Sequence, residues 1–80
     1  MILDKYDKPI NENILPHTLT YLVLGDTFNQ PLLKNVTPDK LTHLALYGVS
    51  EFNNVLELPE SLTYLDLGIK FNQPLKVFFD

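Results

Sequence analysis

Pairs of leucines one residue apart recur along the chain: Leu22 and Leu24, Leu44 and Leu46, Leu65 and Leu67. A spacing of two places both side chains on one face of a β-strand. Residues 20–24, 42–46 and 63–67 are therefore predicted as strands. Their intervening residues, such as Tyr21 and Val23, point to the opposite face. Gly25 and Gly68 follow two of these strands, where a turn with positive φ costs glycine little. Pro16, Pro38 and Pro59 precede them, where a residue without a backbone donor suits a loop.

The strands belong to an internal repeat. Residues 15–32 return as residues 58–75, with 13 of 18 positions identical at an offset of 43. The middle copy, from Thr37, is looser: Phe52 lies six residues beyond Leu46, against four from Leu24 to Phe28 and from Leu67 to Phe71. A bulge or wider loop is expected at 47–51, with Phe52 still reaching the column formed by Phe28 and Phe71. Tyr6-Asp7-Lys8-Pro9-Ile10 precedes Phe28-Asn29-Gln30-Pro31-Leu32 by 22 residues. The same offset sets Ile2 against Leu24. The chain thus reads as a partial repeat at 1–14 and repeats at 15–36, 37–57 and 58–80, all in a single domain.

A repeat of 21 or 22 residues cannot bury its apolar side alone and must stack on copies of itself. The fold expected is a repeat solenoid, leucine-rich-repeat-like. It has a parallel β-sheet with one short strand per repeat and mostly irregular or extended return segments. The return, such as 32–36, is too short for more than one helical turn.

Composition narrows the function. With 80 residues there is no room for a catalytic domain beside a regulatory one. The net charge of −4 disfavours nucleic acid and anionic membranes as partners. No cysteine is present, which removes disulfides and thiolate metal sites. No apolar run is long enough to span a bilayer, and residues 1–8 lack the apolar stretch of a signal peptide. An intracellular, cytoplasmic location is the expectation.

The string Leu-Pro-x-Ser/Thr-Leu-Thr-x-Leu-x-Leu-Gly-x-x-Phe-Asn-Gln-Pro-Leu resembles the FNIP repeat family. These are leucine-rich-repeat-like proteins of social amoebae and of giant viruses that infect them. The resemblance covers residues 6–80 and is most specific at 28–32 and 71–75. Phe52-Asn53-Asn54-Val55 departs from it by lacking proline. Some viral members carry an F-box ahead of the repeats, for which this chain has no residues to spare. The resemblance implies a fold more than an activity.

Phe28, Phe52 and Phe71 are read as a stacked core column, not a ligand pocket. Asn29, Asn53 and Asn72 are expected to bond the backbone of their own and the adjacent turn. Thr20, Thr42 and Thr63 are read as a hydroxyl ladder or as surface strand positions. The face opposite the leucines is the candidate partner-binding surface. Its columns are Tyr21, His43 and Tyr64; then Val23, Ala45 and Asp66; then Tyr47 between Gly25 and Gly68. In leucine-rich repeats this sheet face is the usual partner surface, and tyrosine is enriched at interface hot spots. His17 and His43 are 26 residues apart with no converging carboxylates, so no metal site is expected. No nucleophile motif or phosphate-binding loop is present. No catalytic residue and no cofactor are implied.

The reading is a non-catalytic protein-protein interaction module with an unidentified protein partner. The alternative is a truncated fragment of a repeat array with no function of its own, prompted by the mid-repeat start. The isolated chain is expected to be marginally stable, or to self-associate end to end through residues 62–67 and 77–79, because stacked repeats without polar caps expose apolar surface.

Overall fold

The computed structural model describes the backbone of residues 1–47 and 50–78 and the side chains of 1–47 and 50–75. The first two leucine pairs lie in strands where their spacing predicts, and the third strand ends one residue short of Leu67. Strands β1 (Ile2–Leu3), β2 (Tyr21–Leu24), β3 (His43–Leu46), β4 (Glu57–Pro59), β5 (Tyr64–Asp66) and β6 (Lys76–Phe78) follow one another along the chain. A parallel four-stranded sheet has the order β1-β2-β3-β5. No helix occurs among the described residues.

The register repeats the sequence alignment. Leu22 faces Leu44 and Leu44 faces Leu65, while Tyr21, His43 and Tyr64 face one another in turn. Leu22, Leu24, Leu44 and Leu46 are fully buried, together with Phe28 and Phe52. Leu65, Leu67 and Phe71 pack on the same core and are partly covered. The phenylalanines form the expected column. Phe28 and Phe52 stack at 6.0 Å and Phe52 and Phe71 at 5.7 Å, and Tyr6 extends the column by stacking on Phe28 at 6.4 Å.

At β1 the structure corrects the alignment. Leu3, not Ile2, pairs with Leu24, and Ile2 pairs with Val23. The chain takes one residue fewer from Leu3 to Tyr6 than from Leu24 to Phe28, and Lys5 adopts a left-handed φ of 59° in that shorter link. A one-residue slip exchanges the two faces of a strand. Leu3 accordingly packs on the core and Ile2 is exposed.

The return segments are more ordered than expected. Leu32 bridges Leu56 in parallel, and β4 pairs with β6 in a second small parallel sheet. After Leu32 the chain makes a single turn, in which Leu33 O accepts from the Val36 and Thr37 N–H groups. Each pre-strand proline opens a tight turn: Pro16, Pro38 and Pro59 carbonyls accept from Leu19, Leu41 and Leu62.

In the middle repeat, Gly48 and Val49 lie outside the described residues, so the wider loop is seen only at its ends. There Tyr47 O accepts from the Ser50 N–H at 2.6 Å, and buried Ser50 Oγ accepts from the Phe52 N–H at 3.1 Å. These bonds bring Phe52 back into its column despite the two extra residues.

The glycines have different roles. Gly68 has a φ of +75°, as expected at a strand end, but Gly25 does not have a positive φ. A Cβ at Gly25 would lie 2.9 Å from Lys5 N, so glycine there permits close approach of the neighbouring row.

Candidate functional site

Side chain-to-backbone bonds between rows hold the sheet in register and leave one of its faces open. Thr20 O accepts three donors from the next row: Thr42 N at 2.9 Å, Thr42 Oγ1 at 3.0 Å and His43 N at 3.0 Å. Thr42 O accepts the equivalent three from Thr63 N, Thr63 Oγ1 and Tyr64 N. The Thr42 and Thr63 hydroxyls are thus occupied, each by the backbone carbonyl of the threonine one row earlier. A second ladder runs beside the phenylalanines. Asn53 N donates to Asn29 Oδ1 at 2.9 Å, and Asn72 N donates to Asn53 Oδ1 at 2.8 Å.

The open face carries the candidate residues. Tyr21, His43 and Tyr64 form one ring ladder, with centroids 5.5 Å and 5.7 Å apart and planes inclined by 31° and 22°. Tyr21 and Tyr64 are 49% and 53% exposed, and His43 between them is half-buried. His43 Nδ1 lies 2.9 Å from Thr42 Oγ1, which fixes the imidazole against its own strand. The next column is shallower. Ala45 is half-buried and Asp66 is exposed, with Asp66 Oδ1 accepting from the Gly68 N–H at 3.0 Å. Tyr47 is exposed at the rim of the face.

Val23 is a correction to the sequence reading. It is 6% exposed and offers no surface to a partner. Its short side chain is flanked in register by Ile2 on one strand and Ala45 on the other. Ile2, missed in the sequence, takes its place on the open face and is 63% exposed. The signal was available in the alternation of Ile2 and Leu3, but the constant offset of the repeat put Ile2 on the core side.

The face is short of chemistry. Asp66 is the one carboxylate among its described candidate residues. Among the described residues no group of three or more metal-ligating side chains converges. His17 lies in the loop before β2, apart from His43. No helix among the described residues is long and apolar enough to cross a membrane. The arrangement offers aromatic edges, phenolic hydroxyls and an imidazole on a stiff support.

One acidic group stands out elsewhere. Asp7 occupies the ladder position that asparagine holds in later rows. The Asn29 N–H donates to its Oδ1 at 2.9 Å, and Gln30 Nε2 donates to it at 3.0 Å. These bonds, the backbone one foremost, hold its carboxyl below the ordinary carboxylate range.

The family model described as FNIP Repeat matches residues 6–48 and 52–79. The break between the two matches falls at the wider loop of the middle repeat. No curated protein matches the chain, and no solved structure does.

Proposed function

The chain belongs to the FNIP repeat family, and we propose that it acts as a non-catalytic protein-interaction module, a short leucine-rich-repeat-like solenoid that binds through the open face of its main sheet. The observation that carries this reading is the Tyr21–His43–Tyr64 ladder. Three aromatic side chains stand in register on neighbouring strands, with both tyrosines about half exposed. Tyrosine supplies a large contact area with little rotamer freedom to lose, together with a hydroxyl that can pair at a wet rim. The threonine ladder fixes the backbone beneath the rings, so little ordering cost falls on binding. The partner is a protein, because the face is a broad surface of ring edges with one acidic side chain. It has neither the basic patch of a nucleic-acid binder nor a converging set of catalytic groups.

A photo-crosslinking residue placed at Tyr21 or Tyr64, and separately at Leu33 on the return side, tests the assignment. Crosslinks to one discrete protein from the first two positions and none from the third support it. Equal yields from all three, or yields from Leu33 alone, would remove the sheet face as the site.

A further inference from the structure

We propose that His43 decides what the open sheet face accepts: its Nε2 is a neutral hydrogen-bond acceptor beside the Asp66 carboxylate, and the protein partner fills that position with an arginine side chain. The assignment rests on the sheet face being the binding surface. Strand β3 is paired on both sides, by β2 and by β5, so what His43 presents does not depend on a strand edge. The ends of the stack are not involved; there the side chains of residues 77–79, expected to support self-association, lie outside the described residues.

The place of the imidazole proton follows from a hydroxyl with a single hydrogen. Thr42 Oγ1 donates to Thr20 O at 3.0 Å. Thr63 Oγ1 makes the same bond to Thr42 O at 3.2 Å one row later, where a tyrosine follows and not a histidine. The direction of the hydroxyl is therefore a property of the ladder and not of the ring beside it. Thr42 Oγ1 also lies 2.9 Å from His43 Nδ1. With its hydrogen committed to Thr20 O, the hydroxyl accepts at this second contact, and Nδ1 carries the proton. In the neutral ring Nε2 then has a lone pair and no hydrogen.

That lone pair faces solvent. Nε2 makes no hydrogen bond among the described residues. No buried side-chain nitrogen or oxygen among them lacks a partner, so an unpaired Nε2 is an exposed one. The rings of Tyr21 and Tyr64, 5.5 Å and 5.7 Å to either side, leave it to be approached from above the sheet.

The charge around it is negative. Tyr64 stands opposite His43 and Asp66 opposite Ala45, which sets the Asp66 carboxylate diagonally across the same face. Asp66 Oδ1 accepts from the Gly68 N–H, and its second oxygen makes no hydrogen bond among the described residues. Tyr21 and Tyr64 contribute neutral phenols. The Met1 ammonium lies beyond Tyr21, on that residue's carbonyl. No lysine or arginine occupies a candidate position of the face. Two separate acceptors and one negative charge suit a guanidinium, which is always charged and carries five N–H donors in a planar fork. An acidic side chain would set lone pairs against lone pairs.

Nitrogen-15 NMR of the chain at pH about 8, above the range in which histidine usually titrates, reads the tautomer directly. The His43 Nδ1 should carry the proton and Nε2 none; the reverse, or a mixture of the two tautomers, overturns the proposal. Acetyl-arginine amide is then titrated to about 50 mM, where a millimolar Kd saturates. The His43 Nε2 resonance and the Asp66 amide should shift, while residues 32–36 on the return side stay fixed. Acetyl-citrulline amide, uncharged and nearly the same shape, should leave them unmoved, as should acetyl-aspartate amide. His43→Phe keeps a ring between the two tyrosines and should lose the arginine response. Asp66→Asn can still accept from Gly68 and should weaken the response about two- to fivefold, the worth of one exposed charge pair. No response to arginine, an equal response to citrulline or aspartate, or an undiminished response in either variant would overturn the proposal. Should a variant fail to fold, the tautomer and the citrulline comparison decide on the wild-type chain alone. Crosslinks from Tyr21 and Tyr64 to one protein would stand after such a failure, whereas crosslinks from Leu33 alone would remove the sheet face itself.

Discussion

Asp7 accepts the Asn29 N–H at 2.9 Å, the same bond that Asn29 accepts from Asn53 one row later. A carboxylate thus stands in for an amide at one rung of a ladder otherwise built from asparagine. The substitution gives that rung a dependence on pH. The folded pKa lies below the unfolded one, so the stabilisation is fully present above the unfolded value. It is lost as pH falls through the lowered folded value. Asp7→Asn should keep the acceptor and remove the acid-dependent loss, while Asp7→Ala should weaken the rung at neutral pH. Urea melts at neutral and acidic pH check this; a wild type and an Asp7→Asn variant that lose stability in parallel on acidification would contradict it.

Phe52 joins two repeats of unequal length, and the column should be most sensitive there. Phe52→Ala removes a fully buried ring between Phe28 and Phe71, which costs about 3–5 kcal/mol. A domain of this length holds only about 4–12 kcal/mol in total. The variant should be largely unfolded, or melt far below the wild type, by circular dichroism. Phe71→Ala, at a partly covered position, should cost clearly less.

Gly25 separates close approach from backbone strain. Gly25→Ala places a Cβ against Lys5 N without requiring a left-handed φ. The damage should be local: the Val23 and Gly25 amides, which donate to Met1 O and Leu3 O, should exchange faster while residues 43–46 keep their protection. At Gly68, φ is +75° and Tyr47 O is 2.9 Å from a built Cβ. Gly68→Ala should cost about 1–3 kcal/mol by strain alone. Amide exchange and denaturant melts of the two variants read these outcomes separately.

Much of this structure was legible in the sequence because a repeat states the same contact several times. The leucine spacing gives the strands, and the recurrence of Phe, Asn and Thr once per repeat gives the ladders. What escaped was what a single row decides. The pairing of Leu32 with Leu56 and of β4 with β6 rests on backbone bonds across rows, and short return segments show no alternation to announce it. The shift at β1 depends on a link one residue shorter, closed by the left-handed Lys5. Val23 alternates like an exposed residue, but neighbouring strands cover so short a side chain. The sheet face was legible as an exposed aromatic surface.

The proposed function rests on the tyrosines of that face, and the affinity of the crosslinked partner measures it directly. Isothermal titration should show Tyr21→Ala and Tyr64→Ala each weakening binding by about tenfold or more, as expected of interface residues worth about 1.4 kcal/mol or more. Leu33→Ala, on the return side, should bind like the wild type, and all three variants should melt near it because the residues are exposed. Unchanged affinity in both tyrosine variants, with a loss at Leu33, would place the binding surface elsewhere on the molecule.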